Sequence, residues 1–241
     1  ENKVGKNETI QNYSSLEPRI SVNILLGNTS SLKGSYNRMT QYIHLLSNTA
    51  ASSSLDVWTP STNNIKPEIA DAYVFGYFKN FKNNTYEASL ELYYKDLQNQ
   101  IDYIDGADLL INKYIEGDLL TGIGRAYGLE FLLKKNRGRY NGWFSYTLGR
   151  SELKIDGINQ YQWYPTRYDQ THNFKITSTY KINDRVQVSG NFVYLTGTPV
   201  TFPSSKFVIQ GFAIPHNASS ARHQFRIPDY HRLDFSITIN G

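Results

Sequence analysis

Glu87 and Glu91 are the acids whose spacing first invites a catalytic reading, because general acid–base work at one bond uses two carboxylates set close together. They lie four residues apart in TYEASLELYYK, a stretch that alternates apolar and polar residues. On a strand that spacing puts their α-carbons about 13–14 Å apart, too far to act on one bond, and the two read better as hydrated carboxylates. The five histidines (His44, His172, His216, His223, His231) show no HxH or HxxxH spacing, and the chain has no cysteine, so no metal site is assigned. There is no nucleophile-elbow motif, and the glycines of GIGRAYG lack the strand-to-helix setting of a phosphate cradle. No catalytic residue and no cofactor are assigned, and the chain does not read as an enzyme.

The richest polar-aromatic constellation is QYQWYPTRYDQTHN, which offers Trp163, Tyr164, Arg167, Tyr168 and Asp169. Flat rings beside a guanidinium and a carboxylate can stack on a sugar or pair with a charged ligand. The same residues could instead scaffold a loop. Trp58, His216, Arg222, His223 and Arg226 lie in other long connections and join the candidate ligand contacts. Trp143 shares a strand face with Asn141 and Ser145.

The segments that position these residues are strands. Tyr86, Ala88, Leu90, Leu92 and Tyr94 face one way, and Glu87, Ser89, Glu91, Tyr93 and Lys95 the other. Around the turn Asn136-Arg137-Gly138, Tyr127, Leu129, Phe131 and Leu133 share a face, as do Tyr140, Gly142, Phe144, Tyr146 and Leu148. Nine stretches of this kind follow one another: 16–26, 32–46, 70–81, 85–104, 123–135, 139–154, 174–182, 186–194 and 232–240. Between them short turns (27–31, 82–84, 136–138, 183–184) alternate with long connections (47–69, 105–122, 157–171, 199–230).

Several strands exceed ten residues, well above the roughly five or six usual in soluble sheets. Short turns at one end and long loops at the other, with one face apolar and the other polar, are what an outer-membrane barrel shows. A lipocalin-like barrel or a β-sandwich also alternates, but with shorter strands and less regular loops. Twenty-five basic against twenty-one acidic residues, +4 in all and without a basic run, give no reason to expect a nucleic-acid partner. No apolar run is long enough for a transmembrane helix, and the mean hydropathy of −0.50 is compatible with half-apolar barrel strands.

In succession, LEPRISVNILL, YNRMTQYIHLLSNT, LDVWTPSTNNIKPEIADAYVFGYF, YYKDLQNQIDY, GRAYGLEFLLKK, WFSYTLGRSE, YPTRYDQTHN, VYLTGTPVTFP and YHRLDFSI resemble the barrel of TonB-dependent outer-membrane transporters, in the form common in Bacteroidota. The resemblance runs from about Tyr13 to the end of the chain. It implies an all-β, antiparallel up-and-down transmembrane barrel of 22 strands, of which about nine lie in residues 1–241 as a partial barrel domain. The plug domain, its TonB-contacting box and the terminal strands are expected outside this sequence. It further implies import of a scarce nutrient: a siderophore, a vitamin such as cobalamin, an oligosaccharide or a peptide. The implied partners are outer-membrane lipid, TonB through the plug, and a surface lipoprotein lid or other outer-membrane subunits. A non-transporting barrel that scaffolds an outer-membrane complex is the alternative.

Overall fold

The structure, a computed structural model, describes residues 11–47, 56–104, 107, 114–202, 205–216 and 222–239. Nine long strands form one antiparallel sheet in strict chain order. They are β1 (Arg19–Leu25), β2 (Ser30–Gln41), β3 (Glu68–Phe81), β4 (Tyr86–Tyr103), β5 (Leu119–Lys135), β6 (Tyr140–Ile155), β7 (His172–Lys181), β8 (Val186–Leu195) and β9 (Tyr230–Ile239). Among the described residues β1 and β9 each pair on one side only, so the sheet is not closed.

Sequential antiparallel order sends every second connection to the same end, which puts the short turns at one rim and the long connections at the other. Residue chemistry makes the tight reversals possible. Lys82, Asn83 and Asn84 all take positive φ (52°, 53°, 61°), and Gly138 reaches 98°. At the turn into β8, the Asn183 side-chain oxygen accepts hydrogen bonds from the amides of Arg185 and Val186.

Register carries the alternation across the sheet. On one face Leu32, Tyr77, Leu90, Phe131, Tyr146 and Phe174 fall in a row from β2 to β7. On the other, Asn80, Glu87, Lys134, Trp143, Thr177 and Asn191 form a row from β3 to β8. Trp143 therefore belongs to the polar face. The apolar face is not covered by the chain: Phe75 is 52% exposed and Leu92 50%. A contiguous apolar surface of this extent needs a nonaqueous neighbour.

The edges of that apolar band are marked. Toward the long-loop rim, Tyr36, Tyr73, Tyr94 and Tyr127 form a row, with ring centroids 5.2 Å apart for Tyr36–Tyr73 and 6.5 Å for Tyr94–Tyr127. Two residues farther out the row becomes Arg38, Asp71, Asp96, Arg125 and Glu152, with ion pairs Arg38–Asp71 (2.8 Å) and Arg125–Glu152 (2.7 Å). Near the short-turn rim, Phe81 stacks on Tyr86 at 5.3 Å, and Lys82 and Lys135 approach the Tyr86 ring. Tyr86 and Tyr94 are eight residues apart, about 27 Å along the strand and about 20 Å after a barrel-like tilt, close to the height of an outer-membrane apolar band.

On the polar face, the Tyr93 ring lies across the paired glycines Gly128 and Gly149. A Cβ at Gly149 would meet the Tyr93 hydroxyl oxygen at 2.8 Å, and that ring can swing away. A Cβ at Gly128 would also sit 2.4 Å from the Leu148 carbonyl oxygen, which is fixed in the sheet. Gly128→Ala should therefore cost about 1–3 kcal/mol and Gly149→Ala clearly less, read as the urea midpoint of the assembled barrel. Equal midpoints for the two variants would contradict this packing.

Several elements depart from the sequence expectation, among them β5, which starts at Leu119 within the expected 105–122 connection. The second strand was expected to run to Leu46, but it ends at Gln41, and Ile43–Ser47 instead pairs with Asp56–Pro60 in a separate hairpin. That hairpin is fixed by buried His44, which hydrogen-bonds Ser61 Oγ (2.9 Å) and Glu68 Oε1 (3.2 Å). The fourth strand carries a bulge between Leu97 and Gln100, where Asn99 takes a φ of 55° and its side-chain amide donates to the Pro67 carbonyl. The connection expected over 199–230 holds a hairpin, Ser205–Ile209 with Phe212–His216, and a short pairing of Pro199–Val200 with Phe225–Arg226.

Candidate functional site

The candidate site lies at the long-loop rim, where parts of three connections pack together. Residues Tyr164–Pro165 pair with Leu153 and Glu152, extending the sheet above the point where β7 begins. This register sets the side chains. Pro165 lies opposite Glu152 on the apolar-face side, and Tyr164 lies opposite Leu153 on the polar-face side. Trp163, one residue from Tyr164, falls on the apolar-face side, and its ring packs 4.1 Å from the Arg125 guanidinium.

Tyr164 turns inward. With Ile155 and Ile158 it forms a small buried core, against which Leu120 and Leu153 pack. Its hydroxyl donates to Asp102 Oδ2 at 2.8 Å. The other Asp102 oxygen accepts from Arg222 Nη1 at 2.7 Å, while Arg222 Nη2 donates to the Tyr103 carbonyl and the guanidinium covers the Tyr103 ring at 4.3 Å. Burial, and then the Asp102 charge and hydrogen bond, push the Tyr164 hydroxyl well above the usual tyrosine range. Burial likewise pulls the His223 imidazole below its ordinary value, and its Nδ1 lies 2.8 Å from the Pro165 carbonyl oxygen. A second clamp holds Asp169: it accepts from the Ser151 amide and from Arg226, whose guanidinium also donates to the Gly197 carbonyl.

The structure thus divides the sequence candidates. Tyr164 (1% exposed), Asp169 (1%) and Arg222 (2%) have their polar groups engaged with the fold and offer almost no surface. His223 is also buried. Arg226 is partly buried and ties the 222–226 segment to Asp169. These are the scaffolding roles that loop residues take when a rim must hold a shape. Trp58 and Tyr168 are 63% and 65% exposed and, with Arg167, line one cavity of about 390 Å³ on the polar-face side. Gln41 and Glu68, at the rim ends of β2 and β3, and Leu45 and Leu46, from the hairpin, line the same cavity and were not picked out from sequence, because 32–46 was read as one strand and 47–69 as a connection. Trp163 lies apart from that cavity, in a second groove of about 600 Å³ with Arg150, Gln160, Gln162, Arg222 and Arg226. His216 is in the Phe212–His216 strand, and its side chain lies outside the described residues.

His44, Ser61 and Glu68 make a serine–histidine–carboxylate arrangement. Ser61 lines neither of these two cavities, and the three side chains staple the hairpin to β3.

A sheet of this kind matches the family described as TonB dependent receptor-like, β-barrel, over residues 2–240. The chain belongs to that family. The TonB-dependent receptor barrel assignment agrees with solved structures. FpvA of P. aeruginosa, bound to heterologous pyoverdines, superimposes with a TM-score of 0.63 at 14% identity, covering 97% of this chain and 28% of that one. Fiu, the ferric-catecholate import receptor of E. coli K12, gives 0.61 at 15% identity over 91% and 28% of the two chains. The siderophore receptor PirA of Acinetobacter baumannii gives 0.57 at 12% identity over 92% and 34%. At these identities the likeness is one of fold. This chain spans between 28% and 34% of the length of those three. No curated protein matches it significantly. Membership of the family supports an outer-membrane location, and in barrels of that membrane the apolar face meets lipid and the polar face the interior.

Proposed function

We propose that this chain supplies wall strands and part of the external ligand surface of an outer-membrane receptor that imports a scarce nutrient. Its nine strands belong to a larger barrel, of 22 strands in the form common in Bacteroidota. A plug domain contacts TonB, and a surface lipoprotein or other outer-membrane subunits are further partners. The observation that carries the reading is the rim cavity on the barrel-interior side, with exposed Trp58 and Tyr168 rings beside Arg167 and Glu68. Rings stack on flat or cyclic ligand parts, and the charged pair orients polar ones. Ligands of the kinds named for those structures, pyoverdines for FpvA, a ferric catecholate for Fiu and a siderophore for PirA, are one class that such a surface accommodates, beside vitamins, oligosaccharides and peptides.

The experiment is uptake by cells carrying the intact receptor with Trp58→Ala and Arg167→Ala together. Uptake is expected to fall about tenfold or more, as for loss of central binding contacts, with the barrel still assembled in the outer membrane. Undiminished uptake would mean that this cavity is not the nutrient site. Trp163→Ala, which alters the second groove instead, should leave uptake near its starting value.

A further inference from the structure

We propose, building on the nutrient reading of the rim cavity, that Asn99 is a positioning residue: it sets Gln41, Glu68 and Gln100 as one row of hydrogen-bonding side chains along the cavity wall. The phase of β4 reverses at its bulge. Before Leu97 the even-numbered Leu90, Leu92 and Tyr94 share the apolar face. Beyond it the even-numbered Asp102 lies opposite Leu120 and accepts from the buried Tyr164 hydroxyl, on the interior side where Leu120 packs against Ile155, Ile158 and Tyr164. Leu97 pairs with Gly124 and Gln100 with Gly122, so Gln98 and Asn99 together stand against Ile123 alone. One extra residue moves every later side chain to the other face.

Asn99 is the residue on which the bulge turns. Among the described non-glycine residues it alone takes a positive φ inside a strand, at 55°. Asparagine enters that region readily, whereas a β-branched residue there is a steric outlier. The Asn99 side-chain amide also donates to the Pro67 carbonyl oxygen at 2.8 Å, one residue before Glu68. That bond ties the bulge of β4 to the rim end of β3.

The polar row follows from this register. Glu68 is the partner of Gln41. Ile69 pairs with Gln98, so the next interior place on β4 is the one beside Glu68. Gln100 fills it, because Asn99 is bulged out of the alternation. All three residues line the cavity, together with the exposed rings of Trp58 and Tyr168. Two amides and a carboxylate in a row present both donors and acceptors to a bound molecule. In an unbulged strand Asn99 would occupy that place, Gln100 would turn outward, and Asp102 would leave Tyr164 and Arg222.

The test uses the intact receptor in outer membranes, with any cysteine elsewhere in it replaced by serine and assembly checked by heat-modifiable migration. Gln41→Cys and Gln100→Cys are introduced together and treated with a short bismaleimide, which spans the two strand spacings, about 10 Å, between β2 and β4. The linked fraction is read by mass spectrometry of the digest. Asn99→Val should lower the rate of linking about fivefold or more, Asn99→Ala less, and Asn99→Gly, which accepts the same φ, should restore most of it. With residues 41 and 100 left native, uptake is followed with ferripyoverdine, cobalamin, maltoheptaose and tetra-alanine as probes. For a probe that the parent imports saturably, Asn99→Val should raise the half-saturating concentration about fivefold or more at a similar maximal rate, and Asn99→Gly should bring it back toward the parent. Equal linking with Asn99 and Asn99→Val would overturn the proposal, as would lowered linking with an unchanged half-saturating concentration. Import that is indifferent to Trp58→Ala with Arg167→Ala would instead tell against the nutrient reading of the cavity, while the linking rates still decide whether Asn99 sets the row.

Discussion

Arginine at Leu90 is expected to destabilise the assembled barrel by about 2–4 kcal/mol, while arginine at Ser89 is tolerated. Leu90 lies midway between Tyr86 and Tyr94, the two tyrosines that bracket the apolar band on β4, so its side chain meets the depth at which a charge is most costly. Phe131, its neighbour in register, should behave alike. Ser89 points to the opposite, hydrated face, in register with Leu132. The measurement is the folding free energy of the intact receptor in lipid bilayers, from denaturant titrations of the three arginine variants. Equal damage at Ser89 and Leu90 would mean that the faces are wrongly assigned.

The second large effect is expected at the rim. Arg222→Ala leaves Asp102 as a buried carboxylate with the Tyr164 hydroxyl and the Tyr103 amide as remaining partners. Removing one member of a buried pair typically costs about 3–5 kcal/mol, here borne by the local packing of 222–226 on 155–164. The strands do not depend on that pair, so heat-modifiable barrel assembly should persist. The variant should be cut by protease within 222–226 far faster than the parent, and amide protection at Tyr164 should drop. Replacing Asp102 and Arg222 together by Asn and Met should restore much of the protection, because no charge is then left buried alone. If the single variant is as resistant as the parent, the pair does not hold the rim.

The strands were readable because a period of two with one buried or lipid-facing side is a local property. Tyr86 to Lys95 show it without reference to any other residue, and the register then aligns Leu90 with Phe131 and Tyr77 as the alternation requires. Tight turns were readable for the same reason, in Asn183-Asp184 and Asn136-Arg137-Gly138. The rim was less legible because its contacts are distant in sequence. Tyr164 reaches Asp102 across 62 positions and Arg222 reaches the same carboxylate across 120. A tyrosine or arginine in a long connection looks like surface until such a partner is known. Trp163 shows a further limit. Its side of the sheet depends on the register of Tyr164–Pro165 against β6, which two residues of strand do not announce. The Ile43–Ser47 hairpin was hidden because its apolar residues continue the β2 pattern. The break at Tyr42 comes from tertiary bonds, among them the Ser61 amide to the Tyr42 carbonyl.

The account rests on one sheet crossing the outer membrane with alternate residues in lipid and water. These 241 residues hold no cysteine, so single cysteines can be placed from Tyr86 to Tyr94 in the intact receptor once any cysteine elsewhere in it has been replaced by serine. Each is spin-labelled in outer-membrane vesicles, and its collisions with dissolved oxygen and with a water-soluble nickel chelate are compared. Positions 86, 88, 90, 92 and 94 should favour oxygen, with the strongest preference at 90, and positions 87, 89, 91 and 93 should favour the chelate. A profile without a two-residue period, or one with its phase reversed, would contradict the assignment of this sheet to the membrane.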